Sequence, residues 1–111
     1  MDLQLSPEQK QLVDAFAGLY AKCSTGERVR QAEPAGFDPE LWSELVDNGV
    51  LQMALAESAG GWGASRLDLA LVAEVHGAHV GSAPLVEAQA AVQMLAAAGE
   101  PAAPFLERVI A

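Results

Sequence analysis

Two histidines three residues apart, a Gly-Gly-Trp-Gly loop, one cysteine and a surplus of carboxylates are the groups in this sequence that could do chemistry. His76 and His79 would share a helix face at that spacing, and such a pair can supply two positions of a metal site. No cysteine lies near them in sequence, and Glu74 and Glu87 are not spaced to converge on the same point. The imidazoles therefore read as packed or solvent-edge side chains, and no metal ligand is assigned. Gly60-Gly61-Trp62-Gly63 invites a phosphate-loop reading, but a Walker loop ends in Gly-Lys-Ser/Thr and a dinucleotide fingerprint follows a strand. Neither condition is met. The loop reads instead as a tight turn where close backbone approach excludes side chains, with Trp62 plugging the core. Cys23 lies on an apolar stripe with no partner histidine in view, so it reads as a small buried hydrophobe rather than a nucleophile. No serine sits in a Gly-x-Ser-x-Gly elbow. The fifteen acidic residues read as solvated helix faces.

The elements that would carry these groups are helices. Ser6-Pro7-Glu8-Gln9 has an N-cap, a proline at the first helical position and a capping-box glutamine. Leu12, Phe16, Leu19, Tyr20 and Cys23 follow at helical spacing, which predicts a helix from about Pro7 to Lys22 or a little beyond. Residues 27–36 are polar, contain Pro34 and Gly36, and read as a connector. Asp38-Pro39-Glu40 starts a second helix with Leu41, Trp42, Leu45 and Val46 on its buried face. Asn48-Gly49 ends it, Gly49 being left-handed and Val50 packing back. Leu51–Leu55 is a short apolar run before the glycine loop. Ser65 and Asp68 cap a third helix with the stripe Leu69, Val72, Val75, His76, His79 and Val80, ending at Gly81. Pro84 opens a fourth with Leu85, Ala88, Ala91, Val92 and Leu95, ending at Gly99. Pro104 opens a last piece, Phe105, Leu106, Val109 and Ile110, which either closes the bundle or is covered by something beyond Ala111. No segment alternates long enough to demand a strand. The predicted fold is all-α, a bundle of four to five short helices in one domain spanning 1–111.

Composition fits that fold and excludes several functions. The 111 residues are 51% hydrophobic but only 5% aromatic, with 22 alanines, which suits closely packed helices. A net charge of −9 argues against a nucleic-acid binder and against docking on anionic membranes. Apolar runs such as Leu69–Ala73 fall far short of the ~20 residues that cross a bilayer, and Met1-Asp2-Leu3-Gln4-Leu5 has no basic n-region. The single cysteine excludes an internal disulfide and fits a reducing, cytoplasmic setting.

The order of the pieces resembles the N-terminal helical domain of acyl-CoA dehydrogenases. A capped first helix leads to Phe37-Asp38-Pro39-Glu40-Leu41-Trp42-Ser43-Glu44-Leu45. Asn48-Gly49-Val50-Leu51 then precedes Ala56-Glu57-Ser58-Ala59-Gly60-Gly61-Trp62-Gly63-Ala64-Ser65. Leu71-Val72-Ala73-Glu74-Val75 follows, and beyond Pro84 comes a helix ending Leu95-Ala96-Ala97-Ala98-Gly99. The resemblance covers essentially the whole chain. Against the family pattern Pro-Glu-Glu-Tyr-Gly-Gly-x-Gly, only Glu57 and the glycines match; Ala56, Ser58 and Ala59 depart. In Glu-Glu-hydrophobic-Gly, Glu74 and Val75 fit, while Ala73 and His76 depart. The departures and the Ser82-Ala83-Pro84-Leu85 turn are similar to branches that act on bulky sterol-derived or polyketide-like thioesters, and set a straight-chain fatty acyl substrate aside.

The resemblance implies a three-domain FAD enzyme that dehydrogenates an acyl-CoA thioester between its α and β carbons. Flavin and the catalytic glutamate belong to a β domain and a C-terminal domain absent from these 111 residues. The resemblance thus implies no catalytic, cofactor-binding or metal residue here, and a chain inactive by itself that stops at the domain boundary. It implies that the helical domain walls one side of the acyl pocket. The residues it points to for substrate contact are Gly81, Ser82, Ala83, Pro84, Leu85 and Gln89. A −9 chain would repel the phosphates of CoA and FAD, which places those contacts elsewhere. Two other readings stand beside this one: a free-standing helical module or small subunit that completes a partner's pocket, and an unrelated acidic bundle. The position of the glycine loop discriminates: if it does not connect the second predicted helix to the third, the family reading fails.

Overall fold

The structure is a computed structural model that describes residues 3–110; Met1, Asp2 and Ala111, the outermost residues of the predicted domain and of its N-terminal and C-terminal readings, lie outside the described residues. Within it every regular element is helical: α1 (Pro7–Cys23), α2 (Gly26–Ala32), α3 (Pro39–Asp47), α4 (Val50–Met53), α5 (Arg66–Ala78), α6 (Leu85–Ala97) and α7 (Ala103–Ile110), with short 3-10 turns at Glu57–Ala59 and Glu100–Ala102. The all-α class is as the sequence implies. Two of the seven helices are additional to the expected four to five.

Both predicted capping boxes form. The Ser6 hydroxyl accepts from the Gln9 N–H (3.1 Å) while Gln9 Oε1 accepts from the Ser6 N–H (3.0 Å). Ser65 and Asp68 repeat the exchange at the start of α5. Asp38 Oδ1 accepts from the N–H groups of Glu40 and Leu41, satisfying two donors that the first turn of α3 leaves free. Gly49 turns left-handed at φ 83° and sends the chain straight into α4.

The connector reading of residues 27–36 is corrected over its first half. Thr25 Oγ1 accepts from the Arg28 N–H and starts α2, which buries Ala32. Pro34 and Gly36 do lie beyond its end. The apolar run after Gly49 is also helical, a single turn that buries Val50, Leu51 and Met53.

The core joins Phe16 and Tyr20 of α1, Leu41 and Leu45 of α3, the buried face of α4, Leu55, Val72 of α5, and Leu85 and Val92 of α6. Helix α1 runs along α5 and α3, α6 packs on α4, and α7 packs on α6. Cys23, Trp42 and Val46 pack at the margin of this core. The molecule is a slab, 43 × 41 × 19 Å, so its thin direction holds about two helix diameters. A slab that thin leaves apolar helix faces outside. On α7, Leu106 and Ile110 pack against the core whereas Phe105 and Val109 stay exposed, so the last piece closes the bundle along one edge only.

Trp62 does not plug the core. It is 47% exposed, and its ring lies over Gly49 so closely that a Cβ there would strike it. The close-approach reading of the glycine loop holds at Gly61, where a Cβ would collide with the backbone of Leu55. The loop joins the α3–α4 pair to α5, the connection that the family resemblance requires.

Candidate functional site

The turn between α5 and α6 is built by strain and by ties from other helices. Helix α5 ends at Ala78, and Val80 follows in the left-handed region at φ 49°. A β-branched residue there is an outlier that neighbouring structure must hold in place. Val80 is 64% exposed, so it lies outside the stripe predicted for this helix. The Gly81 N–H donates to the His76 carbonyl (2.9 Å), and a Cβ at Gly81 would run into the His76 ring. The Ser82 carbonyl accepts from the Asp38 N–H at 2.7 Å. Asp38 is itself held by Arg28, whose Nη2 lies 2.9 Å from Oδ1. Pro84 precedes the first turn of α6, and its carbonyl takes the Ala88 N–H.

Inside this turn lies a polar cluster. The Tyr20 hydroxyl and His76 Nδ1 are 2.6 Å apart, the His76 ring meets Tyr20 edge-on, and the His79 ring stacks on its other side. The Ser24 hydroxyl donates to the His79 carbonyl at 3.0 Å. Burial pushes His76 below its ordinary pKa, outweighing the charge of Glu87 and a hydrogen bond with the Ala83 carbonyl, both of which favour the proton. Burial likewise holds the Tyr20 phenol well above its usual range. Sequence spacing puts Tyr20 on an apolar stripe and leaves the histidines as packed or solvent-edge side chains. Nothing in sequence spacing joins residues 56 apart.

Beside the turn, α5 and α6 leave a groove of about 210 Å³ lined by Leu69, Ala70 and Ala73 on one helix and Val86, Gln89, Ala90 and Gln93 on the other. Gln89 is only 5% exposed and its Nε2 donates to the Val50 carbonyl at 3.0 Å. Of the six residues singled out from sequence, Gln89 alone lines this groove. Gly81, Ser82, Ala83 and Pro84 form the half-buried turn next to it, and Leu85 is fully buried in the core. The outward residues Val86 and Ala90 were missed. The available signal is composition: α6 carries one charge, Glu87, and two glutamines in thirteen residues, with apolar side chains on both its inner and its outer side. A helix of that kind is ordinarily buried all round, yet Val86 and Met94 are exposed here.

A family model described as acyl-CoA dehydrogenase, N-terminal domain, matches residues 6–104. The chain belongs to this family. Acyl-CoA dehydrogenases are oxidoreductases and generally use FAD. Comparison with curated proteins and with solved structures gives no match.

The described residues of this acyl-CoA dehydrogenase domain do not fit FAD on their own. A flavin dinucleotide needs cations or free N–H donors for its phosphates. A cleft of about 390 Å³ lies between the starts of α1 and α5, but it is lined by Glu8 and Asp68 and by no cation. The capping boxes already occupy N–H groups there, and Asp68 is held ionised below its usual range by the Ser65 N–H and the Gln9 amide. A second cleft, about 340 Å³, contains Arg28, whose guanidinium is committed to Asp38 and Glu40. A third, about 200 Å³ beside Trp62, has no charged lining residue. Among the described residues no three His, Cys, Asp or Glu side chains converge on a metal position, and no helix is long and apolar enough to cross a membrane.

Proposed function

We propose that this chain is the helical domain of an FAD-dependent acyl-CoA dehydrogenase and walls one side of the acyl pocket, while other domains or a companion subunit hold the flavin, the CoA phosphates and the catalytic base. The observation that carries this reading is α6. It is largely apolar, turns one face into the core and leaves Val86 and Ala90 on the other beside a groove that Gln89 and Gln93 also line. An apolar wall of this sort excludes water from an acyl chain and contributes binding in proportion to the area it covers. The groove is lined by small side chains at Ala70, Ala73 and Ala90, which suits a broad acyl group. The turn Gly81–Leu85 leads into α6 directly before Val86, the first α6 residue on the groove. The net charge of −9 supports phosphate recognition elsewhere. The chain by itself is expected to be inactive, and a cytoplasmic location belongs to the same proposal.

The test is the protein purified with whatever it natively associates. Intact mass, the visible flavin spectrum and anaerobic addition of acyl-CoA thioesters of increasing bulk are measured together. The reading predicts flavin bleaching by acyl-CoA, and a loss of bulky thioesters first when Ala90→Trp fills the groove. Flavin bleaching that Ala90→Trp leaves unchanged for every thioester would overturn the wall. A preparation of 11.6 kDa without flavin or dehydrogenase activity would favour the free-standing module instead.

A further inference from the structure

The acyl-wall reading makes no use of the polar cluster that ties the end of α1 to the end of α5. The fold encloses a phenol and an imidazole where apolar side chains would need no partners, and each polar group left unpaired there would be costly. Tyr20 is fully buried, and its hydroxyl meets His76 Nδ1 at 2.6 Å. His76 in turn touches the turn at two points: its carbonyl takes the Gly81 N–H, and its ring fills the space that a side chain at residue 81 would need. One turn of helix beyond Tyr20, Ser24 grips the carbonyl of His79. The end of α1 therefore clasps the end of α5 just where Val80 is forced into the left-handed region. From the other side, the Asp38 N–H fixes Ser82. A strained turn tied at three points has one shape, and that shape sets where Pro84 starts α6.

We propose that Tyr20 and His76 are positioning residues for the acyl group: their hydrogen bond fixes the Gly81–Leu85 turn, and through it the start of α6, the helix of the acyl wall. The inference rests on the pocket-wall reading above. Neither residue touches substrate. Their effect on turnover passes through the turn, so it falls on binding common to ground and transition states. Such a loss raises KM and leaves kcat alone.

The test uses the enzyme purified with its flavin-bearing domains or subunit. Tyr20→Phe keeps the ring and removes only the hydroxyl. KM for acyl-CoA is expected to rise about fivefold with kcat within about twofold, the size of one lost buried hydrogen bond. In the same preparation, hydrogen exchange in the peptide containing Gly81 and Ser82 is expected to quicken. Should Tyr20→Phe not fold, Ser24→Ala removes the neighbouring tie and carries the same two readouts. A lowered kcat with unchanged KM would show a merely structural role and overturn the proposal. Unchanged exchange in the turn would overturn it at the clasp. Faster exchange with unchanged KM would overturn it at the pocket wall instead, leaving the clasp standing as a feature of the fold alone.

Discussion

Gln89→Met separates the structural use of Gln89 from any use by a ligand. The Gln89 amide is buried and donates to the carbonyl of Val50, a residue with no solvent exposure. Helix α4 is one turn long, and the Ala54 N–H bonds to Leu51 at 3.3 Å, so the Val50 carbonyl looks across to α6 for its donor. Methionine has nearly the same volume and flexible reach, so little cavity forms and the repacking cost stays below about 1.5 kcal/mol. What remains is a carbonyl stranded away from water, which costs about 1–3 kcal/mol. The expected loss is therefore about 2 kcal/mol, against a total near 5–15 kcal/mol for a domain of this size. That corresponds to a fall in Tm of about 10 °C. Urea unfolding followed by far-ultraviolet circular dichroism reads it directly, with an unchanged m-value showing that the denatured state is unaltered. A loss under about 0.5 kcal/mol would refute the reasoning, because the Val50 carbonyl would then not depend on Gln89 and the amide would be free for another partner.

Three further outcomes follow from the same structure. Gly61→Ala drives a methyl group into the Leu55 backbone, and denaturant unfolding should show a loss of about 2–3 kcal/mol. Val80→Asn relieves a left-handed β-branched residue whose side chain is mostly in solvent, so stability should rise by about 1 kcal/mol in the same assay. Burial lowers His76 from its ordinary 6.5, so below that value the unfolded chain binds more protons than the folded one. The stabilising contribution of neutral His76 is therefore complete above pH 6.5 and lost as pH falls through the folded pKa; His76→Gln should show a shallower fall in urea midpoint between neutral and mildly acid pH.

What was legible in the sequence is local chemistry. Ser6, Asp38 and Ser65 cap the helices they precede because a side-chain oxygen reaches N–H groups two or three residues on, and residue order alone predicts that contact. Gly49 announces its left-handed turn because, without a Cβ, it takes a positive φ at no steric cost. What stayed hidden depends on distant partners. Helix α2 looks like a polar connector until Ala32 is seen to be buried and Arg28 to be paired with Asp38. Val80 falls on the helical stripe by spacing, but the helix has already ended, and no propensity predicts valine in the left-handed region. Trp62 looks like a core residue because tryptophan is large and apolar; the space it covers exists only because residue 49 has no side chain. In the candidate site, the resemblance points to Gln89, which lines the groove, and to the Gly81–Leu85 turn, whose residues do not line it. Val86 and Ala90 stayed hidden, because periodicity cannot choose an outer face on a helix with apolar side chains on both sides.

The central claim is that the outer face of α6 and the turn before it line an acyl pocket, and photoaffinity labelling tests it most directly. An acyl-CoA carrying a photoreactive group on its acyl chain is irradiated with the protein and its native associates, and the labelled peptides are mapped. The account predicts label on the segment from Gly81 to Gln93, protected by excess unlabelled acyl-CoA. Protectable label confined to α1, α3 or the Trp62 groove, with none on that segment, would contradict it.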